Sequence, residues 1–194
     1  DEIGLVWAIV VKACSSAKCK ECLLKIQTHA GQKQVLMLLM DMKVCWSSTY
    51  KMLARALGLK EFLEQFIFEI AWDETDQEKW QRLKALVLSD DKWKHVELLI
   101  KLLGHADDAQ QAFSYNSKPC LHMGIPALEA LHTAWKNHLK NPKFDLFLDG
   151  LEAVMVKVEE YCVGTATLHA YTFVMCAYFL LLFVIHSLIF LDSA

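Results

Sequence analysis

The side chains best able to do chemistry in this 194-residue chain are its seven cysteines, its eight histidines and several pairs of adjacent carboxylates. Cys19 and Cys22 form a single Cys-x-x-Cys pair. A structural zinc site takes four ligands at tetrahedral geometry, usually from two such pairs. Cys14 is nearby, but no histidine at the usual offset completes the set, and His29 is poorly spaced. The other reading of these thiols is small buried apolar side chains. Cys120 and His122 stand two positions apart, whereas a cysteine–histidine nucleophile needs spatial contact and an oxyanion hole. His95, His105, His132 and His138 lie in helical pattern and read as ordinary surface or core residues. Adjacent carboxylates occur at Asp73/Glu74, Asp90/Asp91, Asp107/Asp108 and Glu159/Glu160. Two-metal phosphoryl chemistry needs acidic groups converging from separate elements. Neighbours at helix starts are better explained by capping and solvation. P-loop, Gly-x-Ser-x-Gly and His-Glu-x-x-His patterns are absent. The expectation is a chain with no catalytic residue, no metal site and no cofactor.

One stretch stands apart. "DMKVCWSSTYKML" (41–53) puts a tryptophan directly before two serines, a threonine and a helix-forming run. Trp46 is either a packing residue at the mouth of that helix or a functional one.

The elements that must position these residues read as helices. Residues 4–27 carry Val6, Ile9, Val10, Ala13, Leu24 and Ile26 as an apolar stripe opposite lysines, which predicts one helix. "HAGQKQ" (29–34) breaks it, and "VLMLLM" (35–40) is a short buried segment that periodicity cannot assign to strand or helix. Ser47 or Ser48 can cap the next helix, in which Tyr50, Leu53, Ala56 and Leu57 share a face and Gly58 marks an end or a bend. Residues 59–72 continue in helical period, and 73–77 are a polar turn. Trp80, Leu83, Leu86 and Val87 mark a short helix. Ser89, Asp90 and Asp91 signal the start of another, with Trp93, Val96, Leu99, Ile100 and Leu103 at helical spacing. After a loop at 114–119, Pro126 opens a helix to about Leu139. "NPKFD" (141–145) begins a last one, with Phe147, Leu151, Val154, Val158 and Tyr161 on its inner side. No glycine-rich turn, hairpin signal or internal repeat is present, so the body is a helical assembly.

Composition agrees. Hydrophobic residues make up 55% and only three residues are proline, enough apolar material for a helical core. The net charge of −3 excludes a strong overall pull toward nucleic acid. The charge is nevertheless uneven: nine basic against two acidic residues from Lys12 to Lys60, then twelve acidic against six basic from Glu61 to Phe113. The first third is either a phosphate-facing surface or a solvated helical face attracted to the second. The odd, scattered cysteines and the lack of a signal-peptide pattern point to a reducing compartment. Because the chain starts at Asp1, it reads as a fragment. Residues 170–191 contain no Asp, Glu, Lys or Arg, and thirteen of the 22 are Leu, Ile, Phe or Val. At about −0.4 kcal/mol each these contribute about −5 kcal/mol toward membrane insertion. The tail is therefore a candidate transmembrane helix, a buried helix or strand pair of a larger domain, or translated sequence that is not normally coding. The expected organisation is a helical domain over 1–165 and an apolar tail over 166–194.

The stretch "DMKVCWSSTYKMLARALGLKEFLEQF" resembles the hAT family of DNA transposases, whose pattern there is Asp, two or three residues, Thr-Arg-Trp, a small polar residue and Ser-Thr before a helix. Asp41, Lys43, Trp46, Ser48, Thr49, Tyr50, Met52 and Leu53 fit it. "LSDDKWKHVELLIKLLGHADDAQQAFS", "PCLHMGIPALEAL" and "GLEAVMVKVEEYC" resemble later stretches of the family in order, so the likeness covers roughly residues 5–176.

The resemblance implies a mainly α chain, the helical insertion of a ribonuclease-H-like transposase domain. It implies DNA contacts by Lys43, Trp46, Ser47, Ser48, Lys51 and Arg55, with Trp46 as a stacking platform. A base–aromatic stack is worth about 1–3 kcal/mol. Two departures matter. Cys45 stands where the family has arginine and Val44 where it has threonine. A cysteine cannot offer phosphate a fixed cationic fork. The family's two upstream aspartates fall before Asp1, and its downstream glutamate region is replaced by the apolar tail. The sequence thus predicts a non-catalytic, degenerate transposase-derived chain with residual DNA binding and a nuclear location. The alternative is a tail-anchored membrane protein, associated through 170–191, whose helical body binds a partner. The sequence leaves the oligomeric state open.

Overall fold

The computed structural model describes residues 1–42, 46–113 and 121–166. Among them the chain is helical, as expected, with no strand. The predicted loop at 114–119, Lys43, Val44, Cys45, Cys120 and the apolar segment 170–191 lie outside the described residues. Among the described residues no helix is long and apolar enough to cross a membrane. The described residues fall into two compact units, Asp1–Gly104 and His105 onward.

The first unit begins with α1 (Glu2–Cys14) and α2 (Ala17–His29). The sequence predicts one helix here, but Ser16 splits it. Its backbone is extended (φ −149°, ψ 160°), and its side chain accepts the Cys19 N–H at 3.1 Å. A serine oxygen competes well for a first-turn N–H, so the Ser15-Ser16 pair ends one helix and starts the next. Gly31, at φ +76°, closes α2 in the left-handed conformation that glycine adopts without steric cost. Then come α3 (Trp46–Gly58), α4 (Lys60–Trp72), α5 (Gln77–Lys84) and α6 (Asp90–Phe113). Gly58 therefore ends its helix rather than bending it. Asp76 caps α5 by accepting from Glu78 N–H and Lys79 N–H, and Leu86 and Val87 fall beyond that helix. Ser89 accepts from Lys92 N–H at the start of α6, as its spacing predicts.

The core of this unit takes Val6, Ile9 and Val10 from α1, Leu23 and Ile26 from α2, Met52, Leu53 and Ala56 from α3, and Leu63, Phe66 and Ile67 from α4. Trp93 and Val96 of α6 join it, with Leu38, Leu59, Phe62 and Leu88 among the others. Burying a side chain of the size of Phe66 is worth about 1.5–3 kcal/mol. Lys18 meets Asp73 and Lys60 meets Asp90, each at 2.9 Å. These two exposed pairs join the basic third of the sequence to its acidic third, the arrangement expected of solvated faces that attract.

The second unit contains the end of α6, α7 (Gly124–Leu139), a 3-10 turn over Pro142–Phe147 and α8 (Leu148–Ala166). Helices α7 and α8 pack together, and Leu131, Trp135, Phe144, Leu151, Met155 and Val158 are buried. Val154 and Tyr161, expected on the inner side of α8, are instead exposed, and Met155 takes an inner place. Leu151 and Val158 keep their expected inner places, so the stripe holds its phase and Met155, one turn after Leu151, stands in for Val154. The "NPKFD" stretch forms the 3-10 turn, and the α-helix starts only at Leu148.

Candidate nucleic-acid interface at the start of α3

The segment before α3 does not form the short buried element that its composition suggests. Only Leu38 of 35–40 is buried, while Val35, Leu39 and Met40 are exposed and no regular secondary structure is present. Two side chains hold it in place of strand neighbours. The amide of Gln27, on α2, donates to the Leu36 carbonyl at 2.9 Å and accepts the Leu36 N–H at 2.8 Å. Both backbone groups of one residue point to the same side only in an extended chain, so this pairing fixes Leu36 as extended. Arg55, on α3, donates to the Met37 carbonyl at 2.8 Å. Gln27 is fully buried, which a polar side chain tolerates only when its hydrogen bonds are made.

The segment delivers Asp41 to the first turn of α3. The Asp41 carboxylate accepts from the Ser48 hydroxyl and, at 3.0 Å, from the Thr49 hydroxyl. Ser48 Oγ also accepts the Met42 N–H at 2.9 Å and lies 2.9 Å from the Met42 carbonyl. Its single proton serves one acceptor at a time. The sequence offers Ser47 or Ser48 as the cap, yet α3 begins at Trp46, so both lie inside its first turn. An acidic group beside a helix N-terminus is favourable there, because the peptide dipoles sum to a partial positive charge at that end.

The six residues assigned to DNA contact are therefore placed differently. Trp46 opens α3 and Lys51 is exposed one turn along. Ser47 is buried, Ser48 is engaged with Asp41 and Met42, and Arg55 spends a donor on Met37. Lys43 lies outside the described residues. Sequence reasoning assigned Asp41 to the tryptophan motif but missed Gln27. The only signal for it is a polar residue next to the end of an apolar stripe.

The thiols sit elsewhere. Cys22 donates to a Glu69 oxygen at 3.3 Å, and burial, then that hydrogen bond and the carboxylate's charge, push its thiol up to about 11. Cys19 and Cys22 border a groove of about 520 Å³ that also presents Lys12, Lys18, Phe68 and Trp72. Among the described residues no group of three His, Cys, Asp or Glu is placed to hold a metal ion.

The fold and this arrangement define an all-helical module whose third helix is docked by an acidic residue of the preceding segment. Residues 2–102 match the ZBED1 RNase-like helical domain, a hAT-related domain, and the chain belongs to that family. The match covers nearly the whole of the first unit. Comparison with curated proteins and with solved structures finds no match.

Proposed function

We propose that the first unit binds DNA through the N-terminal turn of α3 and does not cleave it, acting in the nucleus as a transposase-derived module. The observation that carries this reading is the Asp41 clamp. By accepting from Ser48 and Thr49 it fixes the turn that bears Trp46. A backbone already fixed at the helix start leaves less to order when an unstacked base arrives. Lys51, exposed on the same helix, supplies charge for the phosphate backbone. Family membership supports the choice of DNA as partner. The absence of cleavage rests on Cys45 in the family's arginine position, which removes the fork that would grip a scissile phosphate.

The test is fluorescence anisotropy of the full chain with hairpin and single-stranded oligonucleotides at 50 and 200 mM salt, roughly the range over which phosphate contacts weaken. Wild type should bind and lose affinity with salt. Trp46→Ala should weaken binding by about 1–3 kcal/mol at either salt. Lys51→Ala should reduce the salt slope by about one for duplex contacts. Absent or salt-insensitive binding, or an unchanged Trp46→Ala, would defeat the DNA role. Cutting of the oligonucleotide in Mg²⁺ or Mn²⁺ would defeat the non-catalytic part.

A further inference from the structure

Helix α4 is apolar on two sides. Phe62, Leu63, Phe66 and Ile67 enter the core of the first unit. Phe68 and Trp72 do not: they are 62% and 80% exposed. Their rings stack on one another across one helical turn, with centroids 6.4 Å apart and planes inclined by 24°. A single exposed apolar residue is ordinary, but a paired aromatic patch beside a groove marks an interaction surface. The two rings border the groove of about 520 Å³ that α2 also lines.

The rest of the outward stripe defines what fits there. Counting back from Trp72 at helical spacing, the same line of α4 carries Phe68, Gln65, Glu64 and Glu61, all exposed. After Lys60, α4 holds three glutamates and no lysine or arginine. Glu61 also suits the first turn of the helix, where the dipole favours an anion, but Glu64 lies beyond it. At 1.5 Å per residue the two carboxylates stand about 6 and 10 Å along the axis from Phe68. The neighbouring acids on the groove side are already engaged, Glu69 by Cys22 and Gln65, Asp73 by Lys18. We infer that this stripe docks a basic amphipathic helix of a partner protein. Apolar side chains of the partner cover Phe68 and Trp72, and its Lys or Arg side chains, one to two turns away, meet Glu64 and Glu61. Helices pack on one another by such ridges of residues three and four apart. Lys12 and Lys18 line the groove with Trp72 and Asp73, whereas Glu61 and Glu64 lie outside it, so the partner's cations fall away from the two lysines. An unstacked base would also find a face on Trp72, but its phosphates would meet Glu64 and Glu61, and like charges across an interface oppose binding. This surface lies on α4 and is independent of DNA binding at α3.

The test uses the full chain and a fluorescein-labelled Leu/Lys amphipathic peptide of about 18 residues, long enough to span the stripe, with its leucines on one helical face. Controls are the same peptide with Glu in place of Lys and a scrambled peptide of equal composition. Wild type should bind the first peptide and neither control. Trp72→Ala should weaken binding at least about tenfold, as loss of a central aromatic anchor does. Glu64→Lys should weaken it about threefold or more and reduce its salt dependence. Where a variant fails to fold, hydroxyl-radical footprinting of wild type decides, and the peptide should protect Phe68 and Trp72 from oxidation. No binding, binding of either control, or wild-type affinity in Trp72→Ala would overturn the proposal. So would rings already protected in the free chain, with concentration-dependent protection showing that a second copy covers them and concentration-independent protection that the chain covers itself. Protection of Trp72 by a single-stranded oligonucleotide would likewise overturn it in favour of nucleic acid.

Discussion

Replacing Gln27 tests how a helical protein holds an irregular segment without a sheet. The side chain is fully buried and makes three hydrogen bonds: to the Leu23 carbonyl at 3.2 Å, to the Leu36 carbonyl at 2.9 Å, and from the Leu36 N–H at 2.8 Å. Gln27→Ala leaves the two Leu36 backbone groups without partners in a partly buried position. Each such group costs about 1–3 kcal/mol, so the first unit should lose about 2–4 kcal/mol once partial exposure is allowed for. For a unit of this size that corresponds to a fall in Tm of very roughly 10–20 °C. Gln27→Met is the decisive comparison, because it restores most of the volume and none of the hydrogen bonds. The expectation is that Met recovers less than half of the loss. Urea unfolding read by circular dichroism, with amide exchange to resolve the first unit from the second, measures both variants. If Gln27→Met is as stable as wild type, packing and not the Leu36 pairing holds the segment, and the account of how Asp41 reaches α3 fails. The same experiment bears on function. On the proposed DNA-binding reading, loss of the Leu36 anchor should weaken binding even though Gln27 itself is buried.

Two other outcomes follow from the site chemistry. The Glu2 carboxyl is held below the usual carboxylate range, chiefly by its hydrogen bond with His95, with the backbone and nearby positive charge adding to it. Its folded form therefore binds a proton less readily than the unfolded chain, so its contribution to stability is present above about pH 4.5 and is lost as the pH falls through the depressed folded value; Glu2→Gln should lower stability near neutrality and flatten the acid limb of a stability–pH curve, so that the variant and wild-type curves converge in acid. The Cys22 thiol, pushed up to about 11, stays protonated at pH 8 and should alkylate with iodoacetamide far more slowly than a thiol in a model peptide, while Glu69→Gln should speed it; equal rates, read by peptide mass mapping, would show that Glu69 does not restrain it.

Much of the helical framework can be read from apolar spacing, because a helix that buries one face must repeat its large side chains at that period. Trp93 and Val96 fall in the core where their spacing puts them, and Ser89 caps α6. The misreadings share a cause. Over residues 4–27 the stripe runs through Ser15-Ser16 without losing phase, so periodicity cannot reveal that a side-chain oxygen has taken a backbone N–H there. In α8 the positions three and four after Leu151 are both apolar, so spacing cannot tell that Met155 rather than Val154 is buried. In "VLMLLM" composition implied burial, but an extended segment held by Gln27 and Arg55 turns much of that apolar surface outward.

By itself the sequence determined a helical chain, the likeness of the Trp46 stretch to hAT transposases, the polar-to-apolar change at the tail and the uneven charge. All of these are properties of local order along the chain, where neighbours in sequence are neighbours in space. Only the tertiary structure decided that Gln27 reaches nine residues ahead to Leu36, that Arg55 reaches back to Met37, that Asp41 rather than a serine organises the first turn of α3, and that His105 meets His138. Each of these joins polar groups from separate elements. No periodicity encodes such a meeting, because a polar side chain finds its partner only after the apolar faces have fixed where the helices lie.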